Sequence, residues 1–532
     1  MNAGYLITRS AHYFPNRTAF VIAGRAISYQ DLNRRVNKLA NALLSLDLKK
    51  GDRVGLLFHN SLAYLESYLA LYKSGLVWVR LNARLHPSEI KRMIEDSGAQ
   101  VLIHGPEFVE TVEKMAPPVR WTIHEGKGSK IHYDTFLQKG SEDEPKVEVL
   151  LDDLSDFWYT SGTTGLPKGI MLTHRNILTC TQLLLSDVYD ITPQDKLLTV
   201  GALSHAGSVR ILPFIIRGAT NYLHTHFDPV KALREIQESK ITDLSTVPTI
   251  LIGLMDHPER PRYDLSSMKR ITYAGAPMPV ERIKEALRLF GPVLDQSYGQ
   301  AESIITITHL PRQEHIFDDD PNRERRLASA GREYPGVQVR VVDEKDQVLG
   351  PGEIGEVVTR SDLVMRGYWN QPDKTEEALR GGWLHTGDIG YLDEDGYLFL
   401  IDRKHDKIIT GGLNVYPREV EEVLAAHPAV AQVIVFGADD PYWGEIITAA
   451  VILRKGISVT VDELLNFSKE RLSGYKRPKK IFFVDCRYPL LHTNSPPHHK
   501  PDLWELLIPG LSLRKLRQEK PCKLALHPTW IQ

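Results

Sequence analysis

Residues 159–169 read YTSGTTGLPKG, and the rest of the chain is best read outward from them. Thr160, Ser161, Thr163 and Thr164 are interleaved with Gly162, Gly165 and Gly169, and Lys168 stands near the end. Glycines let backbone N–H groups come close to an anion, hydroxyls add donors, and the lysine adds positive charge. That mixture suits a polyphosphate. It is not a Walker A loop, where Gly is followed after four residues by Gly-Lys-Ser/Thr. Five residues beyond Gly162 stands Pro167, and Lys168 is followed by Gly169. A nucleotide loop of another class is the natural reading. A flexible Ser/Thr/Gly linker is the alternative, and the ordered run Leu166-Pro167-Lys168 speaks against it. Aromatic-rich Asp156-Phe157-Trp158-Tyr159 predicts a strand before the loop. Thr173-His174-Arg175-Asn176 leads into a helix that turns apolar from Ile177.

On either side, strand and helix alternate. Ser28-Tyr29-Gln30-Asp31 opens an amphipathic helix over residues 28–50, with Leu32, Val36, Leu39, Ala40, Leu43 and Leu44 on its apolar face. A buried strand at residues 54–58, a helix at 62–74 and strands at 77–81 and 101–103 follow. Further strands are predicted near 197–200, 242–246, 270–274 and 292–297. This alternation predicts an α/β fold with a large N-terminal domain of parallel sheets covered by helices. Residues 141–149 (SEDEPKVEV) read as an acidic linker, and the charged residues 315–330 as an exposed loop. Residues 331–400 turn to β character, for which a barrel-like subdomain or small sheet is expected. A small α+β domain begins near Asp402, with helices at 415–427 and 461–471 and strands at 430–437 and 449–453.

Composition narrows the function class. A chain of 532 residues accommodates two or more domains. It is 42% hydrophobic and 25% charged with formal net charge −2, an ordinary globular balance that gives no support to nucleic-acid binding. Cys180, Cys486 and Cys522 lie far apart, with no metal-ligand spacing and no disulfide framework, which fits a reducing cytoplasm. The N-terminal MNAGYLITRSAHYFPNRTAF has no charged leader with an apolar core, and no run of 18 apolar residues occurs. Neither a signal peptide nor a transmembrane segment is expected.

Three further stretches carry chemistry. In Gln296-Ser297-Tyr298-Gly299-Gln300-Ala301-Glu302, a tyrosine beside glycine offers a flat face to a base, and the carboxylate can hold Mg²⁺. Gly275-Ala276-Pro277 follows a predicted strand, and small residues suit a close ligand approach. In His385-Thr386-Gly387-Asp388-Ile389-Gly390, the Asp388 carboxylate can accept from two vicinal hydroxyls. With the loop, these stretches resemble the adenylate-forming superfamily of acyl-CoA synthetases, aryl-CoA ligases, luciferases and peptide-synthetase adenylation domains. Ala301 stands where the superfamily has threonine.

The resemblance implies roles for particular residues. Thr160, Ser161, Gly162, Thr163, Thr164, Gly165 and Lys168 would hold the ATP phosphates. Tyr298 and Gly299 would pack adenine, and Gly275, Ala276 and Pro277 would contact adenine and the acyl group. Asp388 would take the ribose, Arg403 would be a second ribose or a phosphate contact, Glu302 with Thr160 would bind Mg²⁺, and Gly412 would leave room for the pantetheine arm of CoA. Glu302, His205 and Lys168 would be the catalytic residues. Residues 1–401 would form the AMP-binding domain, 402–406 a hinge with His405 at its pivot, and 407–486 a mobile lid.

For the acyl site the window Gly201–Ser208 is informative, and His205 fits the position near the substrate carboxylate. No Asp or Glu occurs between Asp195 and Asp228, which disfavours amino-acid substrates. Arg210 could meet a second carboxylate, but a snorkelling or salt-bridged helix residue is the favoured reading. Lys476, Arg477, Lys479 and Lys480 form either a solvated charge run or a site for the CoA phosphates.

The resemblance ends near residue 486. There the family continues into a Gly and a Lys that reaches the active site, and these positions fall on Asn494 and Ser495. The nearest lysine is Lys500, beside Pro501. Residues 487–532 form an atypical tail, through a frameshift, an alternative terminus or a disordered extension. The expectation is an ATP-dependent acid–CoA ligase for a fatty or aryl acid, working through an acyl-adenylate with adenylation impaired. A carrier-protein thiol as acceptor and a catalytically weak ATP-binding relative are the alternatives. Partners are the small-molecule acid, ATP and CoA. Acyl chain length and oligomeric state are not legible, a homodimer being one option.

Overall fold

The computed structural model describes residues 2–126, 128, 130–160, 168–316, 320–403, 408–410, 413–440 and 443–484. The chain divides into two units, Met1–Leu400 and Ile401–Gln532.

Two large sheets make up most of the first unit. One has seven strands in the spatial order Gly367–Tyr368, Lys168–Thr173, Leu154–Thr160, Val77–Arg80, Arg53–Leu57, Val101–His104, Trp121–His124. Pairing is parallel from Leu154–Thr160 onward and antiparallel at the other edge. The second has nine strands, in the order Arg332–Glu333, Thr308–Leu310, Leu294–Tyr298, Arg270–Ala274, Asp243–Thr246, Lys196–Thr199, Thr220–Leu223, Thr18–Ile22, Arg25–Ser28. Its inner pairs are parallel, with antiparallel strands at both edges. Parallel strands need crossovers, and the helices that supply them cover the faces. The α/β class expected from the alternation is therefore observed.

Local chemistry explains the element ends. The Ser28 side chain accepts from Asp31 N–H and starts helix Tyr29–Leu44. That helix stops short of the expected residue 50, because Asp47 takes a left-handed φ of 59° in the turn that follows. Helix Leu62–Ser74 is capped by Ser61 and buried along its length. Two charges on it are paired: Glu66 with Arg35, and Lys73 with Glu144 at 2.8 Å. Glu144 also accepts from Thr8, Asn33 and Asn37, so the acidic linker is tied down rather than a free spacer.

Three expectations change. The strand Lys168–Thr173 intervenes between the loop and helix His174–Leu183, so the loop joins two antiparallel strands in which Thr160 faces Lys168. The run Gly169–Thr173 is short and leads directly into the capping box of Thr173 and Asn176, which hides it in the sequence. Residues 315–330 are not simply an exposed loop: Pro321–Arg326 forms a helix, and His315, Leu327 and Ser329 are buried. Of the two options for residues 331–400, the structure has the small sheet, with four strands in the order Gln338–Val342, Gly355–Arg360, Leu384–Leu392, Leu398–Arg403.

The second unit holds a five-stranded sheet: Leu413–Val415, Ile408–Thr410, Gly444–Leu453 and Val430–Asp440 in order, with Lys480–Phe483 parallel to Gly444–Leu453. Helices Pro417–Ala425 and Val461–Lys469 supply Val420, Leu424 and Leu464 to a core with Val435, Ile447 and Val451. Asp402 accepts from Arg418 N–H at 3.2 Å, placing a carboxylate at a helix N-terminus. Among the described residues no helix is long and apolar enough to cross a membrane.

A buried charge cluster lies under the nine-stranded sheet. His309 Nδ1 is 2.8 Å from Asp187, its Nε2 contacts Asp295, and its ring stacks on Tyr334. Burial alone would push this imidazole down, but the two carboxylates outweigh it and hold the pKa at about 9. The folded value exceeds the usual 6.5, so the stabilisation is complete below pH 6.5 and fades as pH rises toward 9. The unfolding free energy is expected to fall by up to about 3 kcal/mol across that window. Urea unfolding of wild type and His309→Gln at pH 6 and pH 9.5 checks this: the variant should lack that part of the pH dependence, and an equal decline in both would refute it.

Candidate active site

Three loops leave the C-terminal edge of the nine-stranded sheet. Strand Lys196–Thr199 leads to the segment bearing His205, Arg270–Ala274 to Gly275-Ala276-Pro277, and Leu294–Tyr298 to Gly299–Glu302. Ala274 and Ser297 are register partners, so the latter two loops start side by side. Ligands of open α/β sheets bind in the crevice at such strand ends. Gly275 has a φ of 86°, which a residue with a side chain rarely adopts. Gly299 is required for a different reason: a Cβ there would lie 2.3 Å from the Ile305 carbonyl carbon. The chain pressed against it is unusual, since Ile304 and Ile305 take φ of 43° and 64°. Left-handed backbone at β-branched residues costs of order 1–3 kcal/mol each and concentrates at functional sites. No residue pattern announces it.

Two contact sets join residues that the sequence singled out separately. The Tyr298 hydroxyl donates to Asp388 Oδ2 at 2.6 Å, and the Gln300 amide donates to the Thr386 carbonyl at 3.3 Å. The second set runs through Tyr368. Its ring lies under Lys168 Nζ at 4.9 Å, and its hydroxyl donates to Glu302 Oε1 at 3.0 Å. Tyr368 is held by strand pairing to Ile170, and Met365 N–H donates to the Glu302 carbonyl at 2.7 Å. A cation from the seven-stranded sheet and a carboxylate from the short turn Ala301–Ser303 thus meet on one tyrosine. Tyr368 was not singled out from the sequence; its signal is the run Gly367-Tyr368-Trp369.

His205 sits in a π-turn, Leu203–Gly207, with non-helical φ and ψ of −118° and −143°. Burial, helped by Arg80 and Arg84, pushes its imidazole down to about 4, so it is neutral at pH 7. Its ring Nδ1 is 2.9 Å from Ser204 Oγ. Beneath the turn lies a feature the sequence did not reveal. Arg80 donates to the His205 carbonyl at 3.2 Å and to Ser208 Oγ at 2.7 Å. It pairs with fully buried Asp156 at 2.7 Å and lies between Trp78 and Trp158, at 3.9 and 4.5 Å from their ring centroids. Tyr72 also donates to Asp156.

Other candidates are not brought into these contacts. Ser161, Gly162, Thr163, Thr164, Gly165, Gly412, the hinge at 404–406 and the tail beyond 484 lie outside the described residues. Thr160 and Arg403 are described as strand backbone, at the ends of Leu154–Thr160 and Leu398–Arg403. In the basic run, Lys476 pairs with Glu419 at 2.5 Å and Arg477 donates to the Leu472 and Lys469 carbonyls, while Lys479 lies over Trp443. Arg210 is neither snorkelling nor salt-bridged to a described residue; it is buried, and its one side-chain hydrogen bond among the described residues goes to the Tyr189 hydroxyl at 3.5 Å. Among the described residues no group of three or more His, Cys, Asp or Glu side chains could hold a metal. A single carboxylate such as Glu302 does fit Mg²⁺ that arrives on nucleotide phosphates, since that ion is typically bound by one or two carboxylates plus substrate oxygens.

Comparisons with known proteins show the family and the fold. Residues 7–369 match the model of the AMP-binding enzyme family, and residues 419–494 match that of the AMP-binding enzyme C-terminal domain. The likeness thus continues past residue 486. The chain is 37% identical over 480 residues to a feruloyl-CoA synthase of Amycolatopsis sp, covering 90% of this chain and 94% of the relative. It is 34% identical over 505 residues to a medium/long-chain-fatty-acid–CoA ligase of Mycobacterium tuberculosis, covering 91% and 86%. The solved structure of o-succinylbenzoate CoA synthetase from Bacillus subtilis, in complex with its acyl-adenylate intermediate, superposes with a TM-score of 0.79 at 31% identity, covering 90% of this chain and 94% of that one. This chain belongs to the AMP-binding enzyme family, within the adenylate-forming superfamily, and is an AMP-forming acid–thiol ligase.

Proposed function

We propose that the chain activates a fatty or aryl carboxylic acid with ATP and passes the acyl group to the thiol of CoA. The observation that carries this reading is the joining of Lys168 and Glu302 on Tyr368. In the first half-reaction a carboxylate oxygen attacks the α-phosphorus, the bond to the β-phosphate oxygen breaks, and pyrophosphate leaves. Lys168 lies on the side of the leaving charge, and Asp388, oriented by Tyr298, receives the ribose hydroxyls. Glu302 with Thr160 would hold Mg²⁺, which would supply neutralisation of phosphate charge. His205 meets the acid as a neutral imidazole, able to donate one N–H without trapping the carboxylate as a salt. In the second half-reaction the thiol attacks the acyl carbon and AMP leaves. The identities of a feruloyl-CoA synthase and a fatty-acid–CoA ligase among the relatives support these acid classes.

We further propose residues 402–406 as the hinge and 407–486 as the lid, both turning between the two half-reactions. With Asn494 and Ser495 at the Gly and Lys positions, one preorganised charge is absent from adenylation. The expected cost is roughly 10²–10³-fold in rate. Thioester formation from supplied acyl-AMP does not use that charge. The test compares acid plus ATP plus CoA with acyl-AMP plus CoA, over a panel of fatty and aryl acids. Slow turnover in the first and fast turnover in the second is expected. Equal rates would overturn the impairment, and no AMP with any acid would overturn the ligase reading.

A further inference from the structure

The described residues include four buried arginines, Arg80, Arg210, Arg270 and Arg282. Three of them have carboxylate partners: Asp156 at 2.7 Å, Asp243 at 2.9 Å, and Asp256 at 2.6 Å. Arg210 is the exception. It is 2% exposed, its Nη2 has no hydrogen-bond partner among the described residues, and Nη1 reaches only the Tyr189 hydroxyl at 3.5 Å. The other ionisable groups facing it are the Tyr334 phenol and the Cys180 thiol. Burial holds both up, the thiol at about 11, so neither supplies an anion near neutrality. A buried guanidinium without a counter-charge is a strongly unfavourable arrangement unless an anion arrives from elsewhere.

Its position says where that anion would come from. Arg210 follows His205 by five residues, at the end of the short helix Ser208–Arg210 that succeeds the turn bearing His205. Tyr189, which it touches, is also 3.5 Å from Thr272 Oγ1, on the strand that ends at Ala274. Tyr334 is bonded to Ser297 Oγ at 2.7 Å, one residue before Tyr298. Arg210 therefore lies beneath the two strand ends that open the crevice, on the side of His205. We infer that Arg210 is the floor of the acyl site and receives a second, remote carboxylate of the substrate, so that the preferred acid is a dicarboxylic acid. A planar guanidinium with unused N–H donors suits a carboxylate, which it can bind through two parallel hydrogen bonds. The inference rests on the acid-activating reading above and narrows it.

The experiment uses the full chain and matched acids: hexanoate with adipate, octanoate with suberate, and benzoate with terephthalate. ATP–pyrophosphate exchange is measured for wild type, Arg210→Met and Arg210→Lys, and melting is followed with each acid in the absence of ATP. Wild type is expected to favour at least one diacid over its monoacid partner by tenfold or more in kcat/KM, and to melt higher with it. Arg210→Met should reverse that preference and, without acid, melt no lower than wild type, since a structural arginine would leave a destabilised protein. Arg210→Lys should keep part of the preference. A wild type that prefers monoacids throughout, a diacid preference that survives Arg210→Met, or a large loss of Tm in Arg210→Met would each overturn the inference. If no acid supports exchange, the acid-activating reading fails and melting decides alone: diacid stabilisation lost in Arg210→Met supports the carboxylate site, and no diacid stabilisation of wild type refutes it.

Discussion

Asp156→Ala is expected to destabilise the first unit by about 3–5 kcal/mol, because it strands the Arg80 guanidinium in the interior without its counter-charge. The two tryptophan faces around Arg80 attract a cation, but they do not replace the charge-assisted bond from its Nε to Asp156 Oδ1 at 2.8 Å. The paired variant Arg80→Met with Asp156→Leu removes both ions and should recover most of that stability. It will not recover the hydrogen bonds to the His205 carbonyl and Ser208. Urea unfolding of the two variants, with KM for the acid measured on the paired one, separates the effects. The paired variant should fold and show a raised KM. A loss below about 1 kcal/mol for Asp156→Ala would show that the pair is not what keeps Arg80 buried.

Glu302→Gln is expected to slow adenylation by roughly 10²–10³-fold, the usual loss when one preorganised electrostatic group is removed. Glutamine is nearly isosteric and can still accept from the Tyr368 hydroxyl, so the fold around Met365 and Tyr368 should persist. The effect should fall on pyrophosphate exchange and spare thioester formation from acyl-AMP. Tyr368→Phe leaves the charge and removes the bond that aims it, so a smaller loss is expected. Identical losses in both half-reactions for Glu302→Gln would assign Glu302 a structural part instead.

Much of the fold was legible where local and global signals agree. Helix Leu62–Ser74 and strand Arg270–Ala274 fall at their expected positions because each is an apolar run closed by a cap or a glycine turn. The contacts within the site were less legible. Tyr298 and Asp388 were each recognised, but their hydrogen bond spans 90 residues and needs two sheets in place. Arg80 and Asp156 went unnoticed for a similar reason. Only the register Trp78 to Asp156 and Arg80 to Trp158 puts two ions and two indoles on one face of neighbouring strands. The strained pair Ile304 and Ile305 runs against residue preference, so nothing in composition could indicate it.

Lys168 belongs to a strand, with Thr160 as its partner across the ladder and Tyr368 beneath its ammonium. Its charge is therefore mounted on the sheet, while the glycines and hydroxyls of residues 161–167 belong to the stretch of sequence that precedes that strand. If Lys168 acts as proposed above, its electrostatic help has the sheet as its support. The reading proposed above expects a substitution among those glycines and hydroxyls to change how phosphate oxygens are gripped without moving that positive charge. On that reading the field at the leaving group is a property of the β-sheet, in place before any nucleotide arrives.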